Sequence, residues 1–244
     1  MDATTILDGS DMQKARTAAE FIAWVEQKLS ELSATAEAKA FARSGAMSAK
    51  KFYDEIFPLA RFAAHEYVGR NDVLIRPNLG NENFDAHVTL GGGREGRNVF
   101  LEITYAKDGY DTSLRMEVLA KEGHVWLTGP VTRSGRRGSP NRRVSVEPYA
   151  ADHSETLENY FRLIEKRLRA KSGVRYGDNY TLLVAVDDYF PLSQDSDWPR
   201  LRVFAEALLP TLALDFARVV FVGIAGRLFL SLNVNVLADE DSAR

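Results

Sequence analysis

The sequence contains no cysteine and only four histidines among its 244 residues. Without cysteine the chain cannot form disulfides, use a thiolate nucleophile or bind zinc through sulfur. The histidines show no paired spacing of the kind that metal ligands have, so a zinc site or a histidine-based triad would have to be assembled entirely by the fold. The sequence also lacks a Gly-x-Ser-x-Gly motif, so a serine hydrolase of the nucleophile-elbow type is not indicated.

Long apolar runs are missing as well. No segment approaches the roughly 18 apolar residues of a membrane-spanning helix. The first residues, Met1-Asp2-Ala3-Thr4, are acidic and lack the basic, apolar and small-residue succession of a signal peptide. The net charge of −3 gives no overall attraction to nucleic acid. We therefore expect a soluble, cytoplasmic protein that does not contact membranes.

The composition itself is that of a globular protein, with 45% hydrophobic and 27% charged residues. Apolar residues at helical spacing predict an N-terminal helical segment over residues 1–47, opened by a capping box at Ser10-Asp11-Met12-Gln13 and packed on the core. Residues 48–235 are predicted to form an α/β domain and 236–244 a polar tail. The domain's predicted order is helix, three strands, inserted segment, helix, buried strand, helix and strands. This order predicts a central mixed sheet flanked by helices on both faces.

A helix predicted to begin near Ser48 carries Glu55 and Glu66 on one flank of its apolar stripe. In the inserted segment, Asp111–Lys121 suits either a strand or a helix, and we favour the helix because Glu117 precedes Lys121 by four residues.

After this helix, His124–Thr132 and Arg142–Glu147 are predicted to form the two arms of a hairpin. Arginines concentrate around its loop, at Arg133, Arg136, Arg137, Arg142 and Arg143. They could contact phosphates and contribute salt-dependent affinity for nucleic acid. A solvated hairpin tip is the alternative explanation of the same pattern.

Two strands with one apolar face each surround the glycine-rich loop 91–96. If the loop closes an antiparallel hairpin about its own centre, Leu90 pairs with Arg97 and Asp85 lies directly opposite Glu102. Two carboxylates at that spacing repel each other unless a cation lies between them or one is protonated. The pattern therefore predicts a metal site. A register shifted by one residue, or two acids that simply face solvent, are the alternatives.

This order of elements, with acids on the second and third strands, resembles the restriction-endonuclease-like fold of the PD-(D/E)xK nuclease superfamily from about Ser48 to Val186. The resemblance implies that Asp85 and Glu102 hold magnesium or manganese, with Glu66 or Glu55 as a helper. Two motif positions differ. Phe84 stands where the motif usually has proline, and Thr104 stands where it has the lysine that positions the attacking water. Some members recruit a lysine from elsewhere, and here the candidates are Lys107 and Lys171.

These observations predict a metal-dependent phosphodiesterase that acts on DNA or RNA. The alternative is a catalytically inactive protein on the same fold that binds nucleic acid or protein, which Thr104 favours. A third hypothesis is a regulatory subunit that docks on a protein partner through its N-terminal helices, whose alanine-rich stripe extends from Ala15 to Ala42.

Overall fold

The computed structural model describes residues 3–91, 96–136 and 139–234. The predicted polar tail, loop residues 92–95 and Arg137 lie outside this range. The α-helices of the described residues are α1 (Gly9–Met12), α2 (Ala18–Ala34), α3 (Ala36–Arg43), α4 (Met47–Lys51), α5 (Phe57–Glu66), α6 (Gly109–Glu122), α7 (His153–Arg169) and α8 (Asp197–Leu208). The strands are β1 (Arg16–Thr17), β2 (Val73–Pro77), β3 (Ala86–Leu90), β4 (Arg97–Tyr105), β5 (Val131–Ser134), β6 (Arg143–Val146), β7 (Gly177–Val186), β8 (Phe216–Gly223) and β9 (Phe229–Asn233).

Seven strands form one mixed sheet in the order β1-β2-β3-β4-β7-β8-β9. Strand β7 runs parallel to both β4 and β8, whereas the other neighbouring pairs are antiparallel. Strands β5 and β6 form a separate two-stranded sheet. The predicted mixed α/β architecture with a central sheet is confirmed.

Helices cover both faces of this sheet. One core joins it to α2 and α5 and contains Phe21, Leu59 and Leu101. The other core joins it to α7 and α8 and contains Ile164, Leu182 and Leu201. Because successive strand residues point to opposite faces, β4 gives Leu101 to the first core and directs Glu102 to the side of α7. No helix in the described part of the chain is both long enough and apolar enough to cross a membrane.

The N-terminal helices begin differently from the sequence prediction. Asp8 caps α1 by accepting from the N–H groups of Ser10 and Asp11, and the capping box lies at Thr17 and Glu20, where it opens α2. The capping box predicted at Ser10 is therefore wrong. Between the two helices the chain adds strand β1 to the edge of β2, an element that the sequence analysis missed. Helix α2 turns its apolar face to the chain's own sheet.

Helices α4 and α5 are joined by a π-helical turn, Phe52–Ile56. The predicted start near Ser48 agrees with α4. A π turn widens the helix locally and is frequent at functional sites. Here it contains Asp54 and Glu55. Glu55 and Glu66, which were predicted to share one flank, lie eleven residues apart, or about 16 Å along the helix, so one small site cannot use both.

The inserted segment forms an arm, which we define as residues 109–152, between β4 and α7. Helix α6 confirms the helix favoured for Asp111–Lys121, and it ends at Gly123, whose φ of +78° suits glycine. The hairpin is shorter than predicted, because only Val131–Ser134 pairs with Arg143–Val146. Residues 124–130 form no strand. The carbonyls of Trp126 and Gly129 instead accept from Arg115 of α6, at 2.6 Å each.

Candidate functional site

Asp85 is fixed against β4 by two hydrogen bonds. Strands β3 and β4 pair from Leu90 with Arg97 to Ala86 with Leu101, so the predicted register is confirmed. One residue further, the Asp85 N–H donates to the Leu101 carbonyl at 2.8 Å, and Asp85 Oδ2 accepts from the Ile103 N–H at 2.7 Å. The side chain thus replaces the next backbone hydrogen bond of the ladder. Its carboxylate is held at the strand position of Glu102, and a shifted register is excluded.

Lys171 brings a cation to Glu102. Helix α7 ends at Arg169, and the Lys171 N–H still bonds the Leu168 carbonyl at 3.0 Å, which turns the side chain toward the sheet. Lys171 Nζ forms an ion pair with Glu102 Oε1. An ammonium group therefore reaches the second acid from a neighbouring element, although Thr104 stands two residues along the same strand.

Glu55 extends from the π turn toward the same two acids. Its Oε2 is buried and has no hydrogen-bond partner in the described residues. Lys51 Nζ lies 3.8 Å from this oxygen but donates its hydrogen bond to the Leu79 carbonyl at 3.1 Å. The charges of Asp85 and Glu102 both act on Glu55. We call Glu55, Asp85 and Glu102 the acid cluster.

The acid cluster carries more negative charge than its surroundings compensate. Burial, with a further contribution from the Asp85 charge, raises the pKa of Glu55 from 4.5 to about 7. Burial also raises the pKa of Asp85, although the hydrogen bond from the Ile103 N–H acts to lower it. Burial and the charge of Asp85 together raise the pKa of Glu102. Burial works against a charged Lys171, but the hydrogen bond to Glu102 keeps its pKa above the ordinary value. The site therefore favours an additional cation or a proton.

Aromatic rings supply the low-polarity wall beside these acids. His87, Phe100 and Tyr180 are aligned across three adjacent strands, and their ring centroids are 5.0 and 5.1 Å apart. Phe84 packs against Phe100 at 4.8 Å. This row lies two residues along the strands from Asp85 and Glu102, on the same face. The rings are buried or half-buried, so this face of the sheet is apolar next to Asp85 and Glu102.

Two of the predicted site residues have other partners. Glu66 forms an ion pair with Arg218 of β8 at 2.8 Å, far along the helix from Glu55. Lys107 forms an ion pair with Asp54, the residue before Glu55. The strand ends at Tyr105, and the following turn directs Lys107 to the π turn instead of to Glu102. Neither side chain joins Asp85 and Glu102.

The four described arginines around the β5–β6 hairpin fall into two groups. Arg142 is held by both oxygens of Glu117, at 2.6 and 2.7 Å. Arg133 lies with its guanidinium carbon 5.2 Å from the ring centroid of Tyr110. Arg136 and Arg143 are exposed and have no acidic partner within the described residues. Arg142 is therefore a structural contact, and the other three remain available to a ligand.

The sequence analysis named four of the residues that converge here but missed Lys51. The spacing of Lys51 and Glu55, four residues apart in a helix, is the signal that would have indicated it. Lys171 was one of the two candidate lysines, and its position depends on where α7 ends, at Arg169.

The donor chemistry of the acid cluster suits magnesium or manganese, since both prefer carboxylate oxygens. The unpaired buried Oε2 of Glu55 is the kind of atom that a water or a cation satisfies. As they stand, no three His, Asp or Glu side chains of the described residues are grouped so that they could hold a metal ion.

No protein-family model, no curated protein and no solved structure matches this chain. The resemblance to the nuclease fold rests on the order of the elements and on the acids themselves.

Proposed function

We propose that the protein is a metal-dependent phosphodiesterase that cleaves DNA or RNA. Asp85, Glu102 and Glu55 would hold magnesium or manganese, and Lys171 would act on the phosphate. The observation that carries the proposal is the ion pair between Lys171 and Glu102, because it supplies from the end of α7 the ammonium group that Thr104 cannot supply.

The architecture supports a restriction-endonuclease-like assignment. Helix α5 is followed by the antiparallel strands β2, β3 and β4, then by α7 and by β7, which is parallel to β4. This is the order that the resemblance implies, and the arm is an insertion between β4 and α7. The acids lie where β3 and β4 begin to separate, beyond the last paired residue Ala86.

Each residue has a defined task in this proposal. The Ile103 N–H orients the carboxylate of Asp85 beside the strand position of Glu102. Lys171 is partly accessible to solvent, with 24% of its side chain exposed, and can donate to a phosphate oxygen or to the attacking water. Glu55, with a pKa of about 7, can hold or release a proton near neutral pH. A bound metal ion would polarise the phosphoryl oxygen and lower the pKa of a bound water.

A catalytically inactive binding protein is the second candidate, and one observation favours it. The ion pair between Lys171 and Glu102 already neutralises one acid, so the cluster can persist without catalysis. In that case the arm would carry the function. A protein partner on the N-terminal helices stays a prediction, although α2 uses its apolar face for the chain's own core.

A matched pair of lysine variants tests the proposal. Lys171→Met removes the ammonium group beside Glu102, whereas Lys107→Met removes one that pairs with Asp54. We expect cleavage of single-stranded DNA, duplex DNA or RNA with magnesium or manganese, reduced at least ~100-fold by Lys171→Met and changed less than ~3-fold by Lys107→Met. Circular dichroism of both variants controls for folding. Intact substrates in every condition, or equal effects of the two variants, would favour the inactive protein.

A further inference from the structure

The arm exposes three large aromatic side chains. Tyr110 is 51% exposed, Trp126 is 53% exposed and Tyr149 is 50% exposed. The aromatic rings beside the acid cluster, in contrast, are buried or half-buried. Large apolar side chains that are grouped on a surface mark a binding site more often than scattered ones do. Three such side chains on one inserted segment therefore indicate a binding surface.

Hydrogen bonds join the backbone segments that carry Trp126 and Tyr149 to each other and to α6. Arg115 of α6 donates to the Trp126 carbonyl at 2.6 Å. Thr128 Oγ1, two residues further, donates to the Tyr149 carbonyl at 2.7 Å. The segments that carry Trp126 and Tyr149 thus run side by side along α6, and α6 also carries Tyr110. Only residues 106–108 separate this arm from β4, the strand of Glu102.

Part of the same arm carries a charge opposite in sign to the net charge of the chain. Residues 131–147 contain five arginines and one glutamate, in a chain whose net charge is −3. Arg133, Arg136 and Arg143 have no acidic partner among the described residues. The guanidinium group of Arg133 lies over the exposed Tyr110 ring. Proteins bind single-stranded nucleic acid with cations that contact its phosphates and with exposed aromatic rings that stack on its bases.

We propose that the arm binds single-stranded nucleic acid, with bases stacked on Trp126 and Tyr149 and phosphates contacted by Arg133, Arg136 and Arg143. A base must be unpaired to stack on a side chain, because the duplex hides its faces. A duplex ligand would use the arginines but leave the aromatic rings unused. Cleavage of the bound strand rests on the proposed function, in which the arm would present the strand to the acid cluster.

Tryptophan fluorescence provides a direct test. Trp24 and Trp198 are half-buried and donate through Nε1 to Asp11 and to the Leu192 carbonyl, whereas Trp126 is exposed. Titration with oligothymidylate of about 20 nucleotides in EDTA should quench the emission of the wild-type protein. Trp126→Leu should abolish the quenching and weaken binding about 10-fold, as loss of one stacked base predicts. Trp198→Phe should retain both.

Two further probes separate stacking from charge. An abasic oligomer with the same number of phosphates should bind more weakly and cause no quenching, and so should the blunt duplex. Arg143→Ala should weaken binding about 3- to 10-fold and make it less dependent on salt. Arg162→Ala serves as the control, because Arg162 is exposed on α7 outside the arm.

Equal affinity for the single strand, the duplex and the abasic oligomer would overturn the proposal, as would a Trp126→Leu protein that binds like the wild type. Absence of binding would also overturn it and would leave the arm as a surface for a protein. Binding is measured without metal, so its result does not depend on whether the protein cleaves nucleic acid. A protein that binds as expected but cleaves nothing with magnesium or manganese retains this inference and loses the proposed function.

Discussion

Glu55 has the least compensated charge of the acid cluster. Its Oε2 is buried without a hydrogen bond, and its pKa is raised from 4.5 to about 7. Asp85 has the Ile103 N–H and Glu102 has Lys171. At the scale of single residues, the site therefore has one buried oxygen that accepts no hydrogen bond from the described residues.

Glu55→Gln should stabilise the protein only at high pH. Because folding raises the pKa of Glu55, the protonated carboxyl favours the folded state below about pH 4.5, and this contribution is lost as the pH rises through about 7. Glutamine stays neutral, so the variant should exceed the wild type by roughly 1–2 kcal/mol at about pH 8 and match it at about pH 4. Urea unfolding in EDTA measures both. Glu66→Gln, which breaks the pair with Arg218, should instead destabilise at about pH 8. The same difference at both pH values for Glu55→Gln would contradict the assignment.

Asp85→Asn should stabilise the protein and weaken its binding of metal ions. Asparagine keeps an oxygen that can accept from the Ile103 N–H, but it removes the repulsion that Asp85 exerts on Glu55 and Glu102. We expect a gain of about 0.2–1 kcal/mol in EDTA and a loss of at least ~10-fold in manganese affinity by calorimetry. Manganese affinity that is unchanged in this variant would place the ion elsewhere.

At the scale of elements, arginine side chains tie the parts of the arm to one another. Arg115 holds the segment after α6, and Arg142 binds Glu117 with both nitrogens. Such a hairpin is marginal on its own, since two strands bury little surface. Its position relative to α6 is therefore set by these contacts, since its described residues pair with no strand of the seven-stranded sheet.

Arg142→Ala should loosen the arm without unfolding the protein. The variant loses the bidentate ion pair between Arg142 and the partly exposed Glu117. Limited proteolysis should cut the β5–β6 hairpin several-fold faster than in the wild type. The midpoint of thermal unfolding should change by no more than a few degrees. Arg143→Ala, next in sequence but unpaired, should leave the rate of proteolysis unchanged, and equal rates for both variants would mean that the Glu117 contact does not hold the arm.

The elements differ in how far sequence reasoning could predict them. The pairing of β3 with β4 follows from the apolar alternation of both strands and from the centre of the loop, so Asp85 and Glu102 could be placed in advance. The π turn could not be foreseen, because one additional residue in a helical turn leaves no periodic signal. Lys171 depends on the last turn of α7, and helix ends vary by one or two residues for reasons of local capping. Lys107 could not be assigned either, since its partner Asp54 lies in the π turn.

At the scale of the whole molecule, charge is divided between two regions. Residues 131–147 carry a net charge of +4, so the rest of the chain carries −7. A polyanion would be repelled by most of the surface and attracted by the arm. An acidic site that acts on an anionic polymer therefore depends on the arm, or on a bound metal ion, to bring the phosphates near Asp85 and Glu102.

Removal of the hairpin should weaken nucleic-acid binding without changing the stability of the protein or its manganese affinity. The described residues between 131 and 146 contribute no side chain to either buried core of the domain. The Glu147 N–H lies 3.3 Å from the Pro130 carbonyl, so a short Asn-Gly turn can join these two residues. We expect the shortened protein to unfold within a few degrees of the wild type and to bind manganese with the same affinity. Its affinity for single-stranded oligonucleotides should fall, and the slope of log affinity against log salt should become shallower by about 2, because three phosphate contacts are lost. A shortened protein that keeps both the affinity and the slope would show that the acid cluster and its surroundings bind the strand without the arm.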